Sequence, residues 1–357
     1  MRRLISITLA LPLLLSLTAC FGPPVDPDTV QESIQVIAMD TAMVISTYGK
    51  RSTAAAYASE DLIRELESQL SRTEEESAVF RLNGTGTLEL GEKAEDLFPL
   101  LEAADRYCRE TGGAFDITVA PVVAAWGFAG GAEYRVPGKA ELQKLLELVD
   151  GTAVKVTDRT AALAPGQSID LGGIAKGYAA DRLTDLFREY EIPRAMATLG
   201  GNVLAWGNRP DGTPWRVGVQ DPARPQEQNA FVGVLLLENA FAVTSGGYQR
   251  YFEESGKTYH HIIDPATGFP ADSGLTSVTV VADCAGDSDL PGTMCDAFST
   301  ALFVMGEERA LDFWRNWGGN PFELVLVTED GRVAVTGGLA EKFDFDTESG
   351  YVLEVIS

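Results

Sequence analysis

The chain has 357 residues, with 28 Lys+Arg against 52 Asp+Glu, a formal net charge of −24 and 45% hydrophobic residues. That length and apolar content supply a substantial core, while the acidic balance excludes nucleic acid as a partner and any electrostatic grip on anionic lipid. An anionic ligand therefore needs positive charge gathered locally.

Arg2 and Arg3 precede an apolar run over 4–17, interrupted by Pro12 and ending in Leu17-Thr18-Ala19-Cys20. The run is shorter than the roughly 20 residues of a spanning helix and carries the basic and apolar regions of a secretory signal. Small residues before Cys20 resemble a bacterial lipobox. Residues 1–19 are therefore expected to be a lipoprotein signal peptide and Cys20 the lipidated residue. Residues 20–33, with Pro23, Pro24 and Pro27, are expected to form an extended tether. The mature protein is then expected to hang by lipid from a bacterial cell membrane on its extracytoplasmic face, with 34–357 as one domain.

Four helices follow from apolar spacing and punctuation. Residues 53–72 align Leu62, Leu66 and Leu70, and 92–109 align Ala94, Leu97, Leu101, Ala104 and Cys108. Residues 138–149 follow Pro137, and 174–190 open from Gly172-Gly173. Short β-rich runs come at 195–199, 203–206, 215–220, 232–237, 241–244, 277–281, 323–327 and 332–336. Gly200-Gly201-Asn202 joins the first two as a hairpin and Glu329-Asp330-Gly331 the last two. Helices gather early and strands late, which predicts an α+β fold with mainly antiparallel pairing rather than a βαβ repeat. Apart from Cys20 the cysteines are Cys108, Cys284 and Cys295, with no CxxC pair, which argues against zinc. Cys108 reads as core. Cys284 and Cys295 flank a Gly/Asp/Pro loop, and a disulfide closing it is hypothesised for an exported chain.

Three segments carry candidate chemistry, each with a plainer reading beside it. Ser168-Ile169-Asp170-Leu171-Gly172-Gly173-Ile174-Ala175-Lys176-Gly177 reads as strand, glycine turn and helix. It is either a tight turn or a pyrophosphate cradle in which backbone amides and Lys176 face an anion. Its spacing is neither a Rossmann fingerprint nor a P-loop. A helix is expected to start near Cys295, so that Asp296 and Thr300, at i and i+4, share a face. They suit a small hard cation such as magnesium, or else Asp296 is an N-cap. Gly113-Ala114-Phe115-Asp116-Ile117-Thr118, followed by Trp126-Gly127-Phe128, sets aromatics and a carboxylate beside glycines.

The chain has two histidines, His260 and His261, at the head of His-His-Ile-Ile-Asp-Pro-Ala-Thr-Gly-Phe-Pro. A strand over 259–263 entering a Pro/Gly turn is expected here, and any imidazole chemistry near neutral pH must use this pair.

Taken together and in this order, the segments resemble the ApbE family, the bacterial FAD:protein FMN transferases, from about 39 to 306. The pieces carrying the resemblance are Phe115-Asp116-Ile117-Thr118-Val119, Asp170 to Tyr178, Gly200-Gly201-Asn202, Trp215 to Val219, Thr244-Ser245-Gly246, His261 to Gly268, and Asp296-Ala297 with Thr300. The resemblance implies a single ApbE-like (T-fold-like) α+β domain with mainly antiparallel sheets flanked by helices. It also implies magnesium-dependent transfer of FMN from FAD to a Ser/Thr hydroxyl of an exported acceptor flavoprotein, with release of AMP. The acceptor it suggests is a subunit of a redox pump or of an extracellular electron-transfer chain. An FAD pyrophosphatase and a non-catalytic flavin-binding lipoprotein are the alternatives.

Position by position, the resemblance implies FAD contacts at Met39, Ala114, Phe115, Asp116, Asp170, Lys176 and Ile263, and an adenine-side contact at Asn83. Magnesium ligands are implied at Asp296, Thr300 and the carbonyl of Gly173, and the histidine tied to transfer at His261. Two departures stand out. The usual Met-Gly-Thr is Met39-Asp40-Thr41 here, and Thr73 or Glu74 replaces an aromatic residue.

Overall fold

Ile34, Val36 and Ala38 alternate with more exposed residues, as do Met43 and Ile45 after them, so each run buries one face. They form the hairpin β1 (Gln31–Ala38) and β2 (Thr41–Tyr48), two strands the sequence reading did not anticipate. Its two-residue loop holds Met39 at φ 49° and Asp40 at φ 58°. Both central residues are left-handed, as the favoured hairpin twist requires, and the short polar side chain of Asp tolerates it. The computed structural model describes residues 29–357 except 90, 92–93, 158–159, 285–289 and 320. The expected signal peptide and Cys20 lie outside the described residues. The tether expected up to 33 overlaps β1, which begins at Gln31.

In chain order there follow α1 (Ser52–Leu70), α2 (Ala78–Thr85), β3 (Thr87–Glu89), α3 (Leu97–Glu110), α4 (Ala120–Ala125), α5 (Lys139–Leu146), β4 (Lys155–Thr157), β5 (Thr160–Ala162) and α6 (Ala175–Glu189). The strand-rich half comprises β6 (Arg194–Leu199), β7 (Asn202–Trp206), β8 (Trp215–Gln220), β9 (Phe231–Leu237), β10 (Ala240–Gly246), β11 (Tyr251–Glu254), β12 (Lys257–His260) and β13 (Leu275–Asp283). It closes with α7 (Pro291–Met305), α8 (Glu307–Asn316), β14 (Glu323–Thr328), β15 (Arg332–Thr336), β16 (Phe343–Phe345) and β17 (Val352–Ile356).

The main sheet has nine strands in the order β1-β2-β6-β7-β10-β13-β14-β15-β17. Its pairings are antiparallel except β15 with β17. The α+β reading with mainly antiparallel pairing therefore stands. Its central strands are buried on both faces. In β14, Leu324 and Leu326 join the core under the helices, whereas Val325 and Val327 join a second core under the small sheet β16-β9-β8. Two-sided burial explains why such strands read as continuous apolar runs rather than alternations. A third, smaller core gathers Val122, Trp126, Phe128, Leu142 and Ile263, with Phe252 and Tyr259 of the β11–β12 hairpin packed on it.

Three expectations are corrected. The helix carrying Asp296 starts at Pro291, so Asp296 lies inside α7 and is not its N-cap. Cys284 and Cys295 form no disulfide: both are free and buried, as is Cys108, with Cys284 just past the end of β13 and Cys295 inside α7. The expected strand over 259–263 ends at His260, with only an isolated bridge from Ile263 to Pro270 beyond it.

Candidate active site

The end of α1, the 114–117 turn, the glycine turn before α6, the end of β10 and the start of the β11–β12 hairpin surround a cleft of about 760 Å³. That volume suits a small-molecule or cofactor site. Among the described residues, every expected site residue except Asn83 lines it.

The glycine turn is held from several sides. Asp170 Oδ1 accepts from Gly172 N at 2.8 Å, and Arg72 Nη1 donates to Asp170 Oδ2 at 2.6 Å, tying the turn to the segment after α1. Lys176 Nζ donates to the Gly172 carbonyl at 2.9 Å, which places its charge over the turn. Asn83 sits behind this arrangement. Its Nδ2 donates to Ile169 O at 2.9 Å and its Oδ1 accepts from Ile169 N at 2.7 Å. The strand expected from Ser168 does not form; the Asn83 amide holds the irregular segment that delivers Asp170 instead of facing the cleft. Arg72 was not foreseen, and a pairing across 98 residues leaves no local signal.

Helices α6 and α7 cap one another. α6 has no side-chain cap of its own at Ile174. Gly177 N, in its first turn, donates instead to Asp296 Oδ2 of α7 at 2.8 Å. In return the buried Asp181 of α6 accepts from Gly292 N, Thr293 N and Thr293 Oγ1 at the start of α7, at 2.8, 2.8 and 2.6 Å. The approach needs glycine at 177, because a Cβ there would lie 2.2 Å from the Gly292 carbonyl oxygen.

Asp296 is 4% exposed, and its Oδ1 has no protein donor among the described residues. Thr300, one turn on, contacts Ser245 Oγ at 3.2 Å, and Ser245 in turn contacts Ser299 at 2.8 Å. Gly173 faces them, since its missing Cβ would stand 3.6 Å from Thr300 Oγ1. Among the described residues no three His, Cys, Asp or Glu side chains cluster as metal ligands. This corner offers one carboxylate, a hydroxyl and a backbone carbonyl, all hard oxygen donors.

His261 follows β12, on the hairpin's return to the core. Its Nδ1 faces the Arg250 carbonyl at 3.2 Å, so Nδ1 carries the proton and donates it, leaving the Nε2 lone pair available. Burial, reinforced by the neighbouring His260, pushes its pKa down to about 4, so the ring is neutral at pH 7. His260 plays a different part: Nε2 donates to Ala271 O at 3.0 Å and Nδ1 accepts from Ile262 N at 3.3 Å. Both of its ring nitrogens are engaged in structure. Trp126 Nε1 donates to Gly268 O at 2.7 Å and pins the turn after Ile263.

Asp116 accepts from Thr118 N and Thr118 Oγ1 at 2.7 and 2.6 Å, and from Gly151 N at 2.8 Å. Its carboxylate is thus already saturated by the turn it builds, which presents Ala114 and Phe115 to the cleft.

An α+β protein whose cleft combines a cationic glycine turn, hard-oxygen donors and a neutral imidazole belongs to the class that handles phosphorylated ligands. The ApbE family profile matches residues 39–321, and the chain belongs to that family. It is 30% identical over 324 residues to the FAD:protein FMN transferase of Klebsiella pneumoniae (strain 342), covering 89% of this chain and 96% of that one. It is also 30% identical over 326 residues to the enzyme of the same name from Treponema pallidum (strain Nichols), covering 86% and 87%. Among solved structures it is similar to the ApbE protein of Thermotoga maritima, with a TM-score of 0.78 and 30% identity over 88% of this chain and 99% of that one. The flavin transferase ApbE of Vibrio cholerae aligns with a TM-score of 0.72 and 26% identity, over 84% and 94%.

Proposed function

We propose that this protein transfers the FMN moiety of FAD to a Ser or Thr hydroxyl of an acceptor protein, releasing AMP. The observation that carries the reading is the placement of neutral His261 in one cleft with Lys176, Asp296, Thr300 and Gly173, in a chain similar over most of its length to FAD:protein FMN transferases. The acceptor hydroxyl gives its proton to His261 Nε2 as its oxygen attacks the FMN-side phosphorus. The bond from that phosphorus to the AMP oxygen then breaks and AMP leaves. Phosphoryl transfer needs little covalent help from the enzyme, so positioning and charge neutralisation dominate. Lys176, held over the glycine turn, supplies local positive charge, which lets an acidic chain hold a dianionic substrate. Asp296, Thr300 and the Gly173 carbonyl fit a magnesium ion, because hard cations take oxygen ligands and magnesium pairs one or two carboxylates with substrate phosphates. When bound there, magnesium neutralises charge on the pyrophosphate.

Met39, Ala114, Phe115, Asp170 and Ile263 line the rest of the FAD site in this reading, with Asp116 and Asn83 supporting it from behind. The lipobox and tether put the domain outside the cytoplasm, anchored through Cys20, so the acceptor is an exported flavoprotein such as a redox-pump or extracellular electron-transfer subunit.

The test is AMP release from FAD and magnesium by a soluble domain starting after Cys20, with and without an acceptor domain carrying a flavinylation-type Thr. AMP that requires acceptor, with flavin remaining on the denatured acceptor, is the expected result. AMP without acceptor means a pyrophosphatase, and none in either tube means a flavin-binding protein.

A further inference from the structure

Five buried side-chain polar atoms among the described residues lack a hydrogen-bond partner: Ser52 Oγ, Asn202 Nδ2, Asn208 Oδ1, Ser273 Oγ and Ser277 Oγ. Of these residues only Asn202 lines the cleft. It is 2% exposed, so its amide is cut off from bulk water as well as from protein acceptors. A buried unpaired donor costs about 1–3 kcal/mol, and such groups are rare enough that each needs a reason.

The register gives one. Asn202 opens β7 directly opposite Leu199 of β6 and Val243 of β10. Cross-strand partners share a face, and both of these belong to the core under the helices. Ser245, two residues beyond Val243, is on that same face and is the residue that contacts Thr300. Asn202 and Ser245 are therefore diagonal neighbours on the sheet surface that receives α7, beside the oxygen donors of the cleft. Gly200 and Gly201, just before Asn202, also line the cleft, with the Thr41 and Gln249 side chains packed against them.

We infer that Asn202 is a further substrate-contacting residue of this cleft: on binding, its amide turns so that Nδ2, shielded in the free protein, donates to a phosphate oxygen on the FMN side of the dinucleotide beside Thr300. The inference rests on the proposed flavin-nucleotide site but not on transfer taking place. The anion supplies the acceptor that the protein omits, so the donor is paired only in the complex. Asn202→Asp keeps the shape while replacing the donor by a carboxylate that repels phosphate.

The experiment titrates the soluble domain, with magnesium present, with FMN and separately with riboflavin, reading flavin fluorescence for the wild type and N202D. We expect Kd for FMN to rise about tenfold to a hundredfold, as for loss of a hydrogen bond to a charged group, with Kd for riboflavin unchanged. Equal losses for both ligands, no loss for either, or a wild type that does not prefer FMN would each overturn the assignment. Should N202D fail to fold, Asn202→Ser and Asn202→Ala replace it: the serine retains a donor and should keep more of the FMN preference than the alanine, and equal preference in the two overturns the inference. Binding is read without acceptor, so a wild type that binds FMN but transfers nothing sinks the transferase reading and leaves this one standing.

Discussion

Asp181 and Thr293 are joined by two hydrogen bonds to a single carboxylate oxygen, one from Thr293 N at 2.8 Å and one from Thr293 Oγ1 at 2.6 Å. With Gly292 N on the other oxygen, Asp181 holds the first turn of the helix that carries Asp296 and Thr300. Asp181→Ala strands two backbone N–H groups and a hydroxyl in a buried place. We expect it to cost about 2–4 kcal/mol in denaturant unfolding. A loss below about 0.5 kcal/mol would show that water replaces the cap.

Gly177 is the point of closest approach between the same two helices. A methyl group there collides with the backbone of Gly292 and with Asp296 Cβ, neither of which is a flexible side-chain end. Gly177→Ala should destabilise by about 2–3 kcal/mol and weaken magnesium-dependent turnover, since it pushes Asp296 away from the glycine turn. A thermal unfolding midpoint equal to wild type would contradict the packing described.

His261→Ala should leave FAD binding in place and lower transfer by about 10² to 10⁴. The pH profile gives a sharper check. A base must be deprotonated to act, and the pKa of His261 lies lowered to about 4, so kcat/KM should hold through pH 6 and fall only as pH drops through about 4. A limb near 6.5 that vanishes in His261→Ala would mean the ring is far more solvated than its surroundings indicate.

Chelation of divalent cations should abolish turnover, and Asp296→Asn should reproduce most of that loss at ordinary magnesium. The amide keeps an oxygen for Gly177 N but removes the charge, so raised magnesium should restore part of the activity. Thr300→Val should act in the same direction with a smaller loss. Activity of Asp296→Asn that is indifferent to magnesium would remove this corner as the metal site.

Local signals made much of this legible. The glycine turn before α6, the helix periodicities and the His261 turn are written in residues close together in the chain, and they fell where expected. The hairpin of β1 and β2 escaped because its turn, Met39-Asp40, contains no glycine to mark it. The start of α7 at Pro291 escaped because its cap is Asp181, 111 residues away from Gly292. Asn83 sits close to the site in sequence pattern, yet its amide closes on Ile169, a pairing over 86 residues that only the folded chain displays.

The aromatic core around Trp126 and the cross-capped pair α6 and α7 are separate bodies of packing, and they divide the cleft between them. His261 arrives on the first, through the β11–β12 hairpin and Trp126, while Asp296 and Thr300 sit on the second. Cooperative units of this kind open with different free energies. Backbone amides in the hairpin should therefore exchange with deuterium ahead of those in α6 and α7, and proteolytic or thermal damage would erase the His261 side of the cleft while the Asp296 side still stood.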